Sequence, residues 1–289
     1  MYNFVILTDN TVDMPVEWLN EHEVGYECLP CSMNGVVYDK KNPIDTKLFY
    51  RQMREGAMPT TSQMNPAMAE AMFETYLQEG KDILYLAFSS GLSGTCNSAR
   101  IAAEELKEKY PERQIKIMDS LAASMGEGLL LYYAVKLRDK GKNLDEICDW
   151  LLENRLHLCH VFTVDDLNHL HRGGRVSKAT AVLGTLANIK PMLHVDNEGK
   201  LISIGKVRGR KKSLATLVSM MEERIGKYCD KNEAVFISHG DCEADAEYVA
   251  GLVKEKFVIE NIMIHPISAT IGAHSGPGTV ALFFLGEYR

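Results

Sequence analysis

Short apolar runs alternate with helical patterns along the chain, and this alternation constrains the fold more than any other feature. The first run, residues 4–7, ends in polar side chains that can cap a helix near Pro15. The second run, residues 82–88, is followed by a loop and then by an amphipathic helical pattern over residues 99–106. Repeated strand–helix units of this kind predict an α/β fold built around a largely parallel sheet.

Predicted strands and helices also occur in the rest of the chain. Further strands are predicted at residues 114–118, 158–164, 234–238, 262–267 and 279–285, and further helices at residues 129–140 and 245–257. A chain of 289 residues corresponds to about two domains of ordinary size. Because a basic hairpin interrupts the strand–helix alternation after residues 158–164, we predict an N-terminal domain over residues 1–160 and a C-terminal domain over residues 161–289.

A basic stretch, residues 172–212, opposes the charge of the remaining chain. It holds ten Lys/Arg against two Asp/Glu, a net charge of +8, which leaves −15 elsewhere because the whole chain carries −7. It opens with Arg172-Gly173-Gly174-Arg175 and contains a predicted hairpin with its turn at residues 196–199. This sign reversal indicates an anionic ligand or an acidic partner, although a solvated basic face would give the same pattern.

Three clusters of hydroxyl side chains and glycines, residues 60–62, 89–95 and 274–278, are candidates for a binding site. Those that follow strands are placed where open α/β sheets bind ligands. Ser93 and Gly94 stand at a predicted helix start, where a hydroxyl and backbone N–H groups can meet an anion, although plain helix capping is an equal explanation. His274 precedes a Gly-Pro-Gly turn that can hold its imidazole toward the cleft, although a structural histidine would look the same.

Several catalytic motifs are missing from the sequence. It contains no GxGxxG, GxxxxGK[ST], GxSxG or HExxH, so dinucleotide chemistry, nucleotide hydrolysis and the common hydrolase and zinc mechanisms lack their parts. Ser93 and His274 would be two thirds of a catalytic triad, but no acid presents itself as the third member. We therefore favour an anion-binding site without catalysis over a Ser93-dependent acyltransferase or hydrolase, which remains the alternative.

The cysteines and histidines do not suggest a metal or redox site. Seven cysteines without framework spacing are typical of reduced thiols. The pair Cys28 and Cys31 forms a CxxC motif with no second pair to complete a zinc site. His157 and Cys159 would share one strand face and His160 the other, so these three side chains do not converge. We predict no metal and no redox cofactor.

The sequence predicts a cytoplasmic protein. No apolar run approaches the roughly 18 residues that a membrane span needs, and the N-terminus lacks the basic region of a signal peptide. The negative overall charge and the lack of helix-turn-helix or RNP patterns argue against the competing hypothesis, a nucleic-acid-binding protein.

Six segments, each weak alone, together resemble the DegV family of bacterial fatty-acid-binding proteins over essentially the whole chain. The segments are residues 8–13, 60–63, 89–95, 164–177, 206–212 and 274–278. The chain departs from the usual pattern at Asn10, commonly Ser, at Met64, where Pro normally follows Thr-Ser-Gln, and at Ser275, commonly Thr. The change at Met64 bears on the shape of the first binding loop, whereas Ser275 keeps the hydroxyl.

The resemblance implies two α/β domains, a parallel-sheet N-terminal one and a mixed α/β C-terminal one, with one long-chain fatty acid in a tunnel between them. It implies that the carboxylate is held by Thr61, Ser93 and His274, and Ser62 and Gly94 are expected to belong to the same site. No cofactor other than the bound fatty acid is expected.

The resemblance also implies a partner. The chain would be the non-catalytic binding subunit of a fatty-acid kinase that presents the carboxylate to an ATP-using protein and keeps the acyl phosphate for phospholipid synthesis. Arg172 and Arg175, with Arg208, are expected to contact that kinase or to steady phosphate charge during transfer. At most transient contact with a membrane is expected.

Overall fold

The structure, a computed structural model, describes residues 3–177 and 188–289. Its strands are β1 (Phe4–Asp9), β2 (Gly25–Glu27), β3 (Cys31–Met33), β4 (Val36–Tyr38), β5 (Thr60–Thr61), β6 (Asp82–Ala87), β7 (Ile115–Asp119), β8 (Leu158–Thr163), β9 (Ile189–Val195), β10 (Leu201–Arg208), β11 (Val235–His239), β12 (Ile262–Pro266) and β13 (Val280–Leu285). Its helices are α1 (Val16–Glu21), α2 (Thr46–Arg54), α3 (Pro66–Gln78), α4 (Thr95–Lys109), α5 (Met125–Asp139), α6 (Leu144–Asn154), α7 (Asn168–Arg172), α8 (Arg210–Ile225), α9 (Glu243–Lys256) and α10 (Ala269–Ser275). Short 3-10 helices cover Asn10–Val12 and Gly226–Lys231.

The N-terminal half contains a parallel four-stranded sheet in the order β2-β1-β6-β7. All six residues of β1 are buried, as expected for a strand that is covered on both faces. On one face Val5 and Leu7 pack with Phe73 of α3 and Ala99 of α4. The predicted first strands and the predicted parallel sheet are therefore confirmed.

The C-terminal half is built on a mixed six-stranded sheet in the order β10-β9-β8-β13-β11-β12. Only β11 and β12 pair in parallel among these neighbours. The predicted hairpin is β9–β10, with Val195 opposite Leu201 and an Asp196 side chain that accepts from the backbone N–H groups of Glu198 and Lys200 at 2.9 Å each. The expected mixed α/β architecture is confirmed.

Helix α5 lies between the two large sheets. Eleven of its 15 residues are buried, since it packs on β6 from one side and on β8, β11 and β13 from the other. Ile6 of the parallel sheet and Phe236 and Phe283 of the mixed sheet share one apolar core with Leu130 of α5. The far face of the mixed sheet is covered by α8 and α9. The domain boundary near residue 160 stays a prediction.

A small antiparallel sheet, in the order β4-β3-β5, carries Thr61 opposite Cys31. All seven cysteines are free. Burial raises the pKa of both Cys28 and Cys31 to about 11, so neither thiol of the CxxC pair is a thiolate at neutral pH. Among the described residues no helix is long and apolar enough to cross a bilayer.

Candidate functional site

A cavity of about 840 Å³, counting the space at its open mouth, lies between the parallel and the mixed sheet. Its apolar wall consists of Leu29, Phe88, Leu92, Ala123, Phe162, Leu170, Val195, Leu201, Ile267, Ile271, Ala281 and Phe283. Its polar wall consists of Thr11, Thr61, Ser62, Gln63, Ser93, Ser124, His160, Arg175, Ser238, Thr270, His274, Ser275 and Thr279. Most of the surface that these residues expose to the cavity is apolar, and an apolar cavity with convergent polar groups is typical of a site for a small amphipathic ligand.

The cavity runs along β13. Thr279, Ala281 and Phe283 alternate along the chain, so their side chains point to the same face, and all three line the cavity. Thr279 comes five residues after His274, which lies near the end of α10. The wall from Thr279 to Phe283 extends roughly 13 Å at the rise of a β-strand. One end of the cavity therefore lies at His274, and the other lies deep between the sheets.

Two of the predicted residues, Thr61 and His274, are in direct contact although 213 residues separate them in the chain. The Oγ1 of Thr61 lies 2.8 Å from the Nε2 of His274. The backbone N–H of Ser62 donates to the carbonyl of Pro30 at 3.0 Å, which holds the β5 loop in place. The tertiary structure thus brings the first and the third predicted clusters together.

His274 is a neutral histidine with an unused ring nitrogen. Burial lowers the pKa of its imidazole to about 4, with a smaller contribution from the nearby Arg175. Its Nδ1 atom is buried and has no hydrogen-bond partner within the described part of the protein. No acid there orients the ring, so the third member of a triad is missing from the described residues.

Ser93 also lines the cavity, but its hydroxyl is hydrogen-bonded to Thr95 and not to His274. Its Oγ accepts from the backbone N–H of Thr95 at 3.2 Å and lies 3.0 Å from the Thr95 hydroxyl. The two side chains of the alternative acyltransferase or hydrolase, Ser93 and His274, are therefore engaged with other partners. The arrangement can hold a carboxylate with hydroxyls, but it does not form a nucleophile–base pair.

Gly94 serves the site through packing. A Cβ atom at this position would collide with the side chain of Gln63. The glycine therefore allows the first binding loop, residues 60–63, to approach the start of α4. Met64, where the family pattern has Pro, is fully buried. Its backbone N–H donates to the Thr95 hydroxyl at 3.2 Å, a bond that Pro could not make. The departure at Met64 therefore ties the first binding loop to the second.

The β9–β10 hairpin of the basic stretch packs against the loop of residues 89–95, the second of the predicted clusters. The Ser89 hydroxyl donates to the Gly199 carbonyl at 2.8 Å. A Cβ on Gly91 would lie 2.5 Å from the Glu198 carbonyl oxygen, so only glycine permits this approach. The basic stretch thus supports the binding loops as well as carrying charge.

The arginines that sequence analysis assigned to a partner have different environments. Arg175 is half-buried and lines the cavity, and its guanidinium donates to the carbonyls of Leu92, at 3.2 Å, and Gly173. Arg172 and Arg208 are exposed. Arg172 lies 2.7 Å from the Nδ1 of His169. Lys178, another basic residue of this stretch, lies outside the described residues.

Gly173 packs directly against the head of the site. A Cβ at this position would collide with the Nδ1 atom of His274. The Arg-Gly-Gly-Arg segment therefore packs against the His274 ring and supports it. Its composition alone does not predict this role.

Comparisons with known proteins agree with this geometry. A family model described as "Uncharacterised protein, DegV family" matches residues 3–287. The chain belongs to the DegV family. A DegV domain-containing protein of Clostridium perfringens is 46% identical over 291 residues, covering 100% of this chain and 99% of the relative.

Solved structures of DegV proteins share the fold. A DegV lipid-binding protein of Thermotoga maritima, 27% identical, superposes with a TM-score of 0.86 and covers 100% of both chains. A DegV family protein of Thermus thermophilus, described for its fatty-acid binding, is 28% identical with a TM-score of 0.85, covering 99% of this chain and 100% of its own. The two-domain DegV architecture expected from the sequence is confirmed.

This DegV chain also contains a buried carboxyl cluster that the sequence analysis did not assign. Asp9 and Glu127 both lie within bonding distance of the Thr11 hydroxyl, at 2.5 and 2.9 Å. That hydroxyl has a single proton, so it cannot donate to both. Burial raises the pKa of Asp9 and raises that of Glu127 well above its usual value, so burial favours the neutral form of both carboxyls.

Asp13 extends the cluster toward the cavity. Its Oδ2 accepts from the Ser124 hydroxyl at 2.5 Å, and its Oδ1 accepts from the backbone N–H of Ser268 at 2.9 Å. Burial raises the pKa of Asp13 to about 7. Asp9 and Asp13 lie within residues 8–13, one of the six segments that resemble the DegV family. The sequence indicates Glu127 only as an acidic residue within an otherwise apolar stretch of α5.

Proposed function

We propose that this protein binds a long-chain fatty acid in the cavity, with its carboxylate held by Thr61, Ser93 and His274. The observation that carries the proposal is the 2.8 Å Thr61–His274 contact at the polar end of an otherwise largely apolar cavity. Related DegV structures described as lipid- or fatty-acid-binding support it.

The energetics suit such a ligand. Each buried methylene contributes about 0.8 kcal/mol, so a long acyl chain supplies most of the affinity. The head group then needs only a few hydrogen bonds to fix its orientation. Neutral His274 and the hydroxyls of Thr61 and Ser93 meet that need, with Ser62 beside them on the same wall.

The test of the site is substitution of its hydroxyls. Thr61→Ala and Ser93→Ala should each weaken fatty-acid binding roughly ten- to hundredfold, because a hydrogen bond to a charged group contributes about 1.5 to 3 kcal/mol. Binding is measured by titration with a fluorescent fatty acid, and folding by circular dichroism. Thr75→Ala and Ser219→Ala, exposed hydroxyls on α3 and α8, are matched controls. Unchanged affinity in both site variants would remove these residues from the site.

We propose further that a fatty-acid kinase docks on the basic surface beside the site. Arg172 and Arg208 are exposed, as docking residues must be, whereas Arg175 lies at the cavity, where it can steady charge on a phosphorylated head group. Changing both Arg172 and Arg208 to Glu should leave fatty-acid loading intact and abolish acyl-phosphate formation with the kinase, because charge reversal at a rim acts on docking.

The control for this experiment is Lys254→Glu, an equal charge change at an exposed position of α9. Equal loss of loading and phosphorylation in the double variant would place the arginines in the lipid site or the fold. Normal phosphorylation would remove them from the docking surface.

The chain alone is proposed to be non-catalytic. The purified protein should show neither ATP hydrolysis nor ester hydrolysis, because Ser93 and His274 bond to Thr95 and Thr61 instead of each other. Esterase turnover that disappears in Ser93→Ala would establish the acyltransferase or hydrolase alternative.

A further inference from the structure

Three polar side chains, Ser124, His160 and Ser238, line the cavity away from the Thr61–His274 pair. They are 5%, 2% and 0% exposed. His160 on β8 lies opposite Phe283 of β13, four residues beyond the Thr279 end, so it is roughly 13 Å deeper than that end at the rise of a strand. The patch therefore lies where the acyl chain, not the carboxylate, would run.

The hydroxyls of this patch form a chain that ends at Asp13. While Asp13 is ionised, Ser124 donates its one proton to Asp13 at 2.5 Å. The Oγ atoms of Ser124 and Ser238 are 2.9 Å apart, so Ser238 donates across this contact while Asp13 is ionised, and Ser124 donates when Asp13 carries its proton. In either state the Ser238 oxygen keeps a lone pair for an acceptor role toward the cavity.

His160 supplies the complementary donor. Its Nε2 accepts from the backbone N–H of Ala123, next to Ser124, at 3.3 Å. Burial lowers the pKa of the ring well below its usual value, so the ring is neutral and carries its proton on Nδ1. That Nδ1 atom is buried and has no partner in hydrogen-bond geometry among the described residues. An unpaired buried donor costs about 1 to 3 kcal/mol.

We propose that this patch is a second polar subsite that binds a hydroxyl group on the acyl chain, so that the ligand class includes mid-chain hydroxy fatty acids. A hydroxyl is both donor and acceptor, and it would accept from His160 Nδ1 and donate to Ser238 Oγ. This inference rests on the proposed fatty-acid site and names the substrate class that it selects. A site built to bond a hydroxyl discriminates against an analogue that lacks it, because its polar groups are then left unpaired.

The test compares octadecanoic acid with a series of hydroxyoctadecanoic acids whose hydroxyl moves along the middle of the chain, each titrated into the purified protein after delipidation. One position should bind at least tenfold tighter than octadecanoic acid, and its neighbours less so, because the subsite has a fixed depth. Ser238→Ala and His160→Phe should each bring that ratio close to one. Ser219→Ala, on the surface of α8, should keep it.

The outcomes separate this inference from the proposed function. Thr61→Ala should weaken all the acids alike and preserve the ratio, because it acts on the carboxylate. Binding of octadecanoic acid with no preference for any hydroxyl position would overturn the subsite and leave the fatty-acid site standing, and so would a preference that survives both substitutions. Failure of every acid to bind would overturn the proposed function itself.

Discussion

The head-group end of the cavity and the carboxyl cluster beside it are both buried and polar, yet they satisfy their hydrogen bonds differently. In the cluster, every carboxyl oxygen of Asp9, Asp13 and Glu127 has a hydrogen-bond partner within the protein. At the head-group end, the Nδ1 of His274 has none among the described residues. The carboxyl cluster is thus satisfied within the fold, whereas the imidazole of His274 keeps one unpaired nitrogen, packed against Gly173, and lines the cavity beside Thr61.

Burial shifts the pKa values of the two regions in opposite directions. Burial raises the pKa values of the three carboxyls and lowers that of His274, and in both cases the neutral form is favoured. A fatty-acid carboxylate would therefore enter a site of neutral donors, with Arg175 as the nearest cation that shifts the His274 pKa.

Asp9→Ala should cost about 5 kcal/mol of unfolding free energy, because it leaves the Thr11 backbone N–H and the Tyr85 hydroxyl without their buried carboxylate acceptor. Chemical denaturation measures the loss. Thr61→Ala, at the head-group end, should change stability far less, since its effect is on binding. A loss below about 1 kcal/mol for Asp9→Ala would show that the cluster is not structural.

The stability of the fold should fall as pH rises from about 4 to about 7. The pKa of Asp13 is about 7 in the folded protein and near 3.8 in the unfolded chain. The proton on Asp13 therefore stabilises the folded state fully below the unfolded pKa, and this contribution is lost as the pH rises through the folded pKa. The full effect is roughly 4 kcal/mol. Urea denaturation at pH 5 and pH 8 should show roughly 2.6 kcal/mol of it, because part of the window lies below pH 5. Asp13→Asn should reduce the difference, although Asp9 and Glu127, whose pKa values burial also raises, remain in the variant, and an equal pH dependence in both proteins would contradict the assignment.

Gly173→Ala should lower fatty-acid affinity about tenfold, because the added methyl group displaces the His274 ring from Thr61, and one hydrogen bond contributes about 1.4 kcal/mol. The matched control is Gly205→Ala on β10, where a Cβ meets no atom within 4 Å. Isothermal titration measures both variants. Equal affinities would show that the Arg-Gly-Gly-Arg segment does not position the histidine.

His274 should show no titration between pH 8 and pH 5.5 in the free protein, because its pKa is about 4 where an ordinary histidine titrates near 6.5. The ring chemical shift in an NMR pH series measures this directly. Arg175→Ala should raise the midpoint, since the guanidinium charge contributes to the shift. A midpoint near 6.5 in the unaltered protein would mean that the ring is not buried as described.

Much of the fold followed from local patterns. The strands β1, β6, β7 and β13 were predicted to within a residue or two, because β1, β6 and β13 are largely apolar runs that both faces of a sheet can bury, whereas in β7 Lys116 separates two isoleucines. The start of α5 was predicted at residue 129 instead of Met125. Gly126 and Gly128 interrupt the helical pattern there, and they are present because His160 and Met14 pack where their side chains would be.

The family, the alternating architecture and the small set of hydroxyl and imidazole side chains in the proposed head-group site can all be predicted from the amino-acid sequence. These depend on residue type and short spacing, which are visible without coordinates. The tertiary structure alone decided that Thr61 meets His274, that Gly173 supports the imidazole, and that Asp13 connects through Ser124 to Ser238 at the cavity. Such contacts join residues more than a hundred positions apart, so packing between the sheets and α5 creates them and no local pattern predicts them.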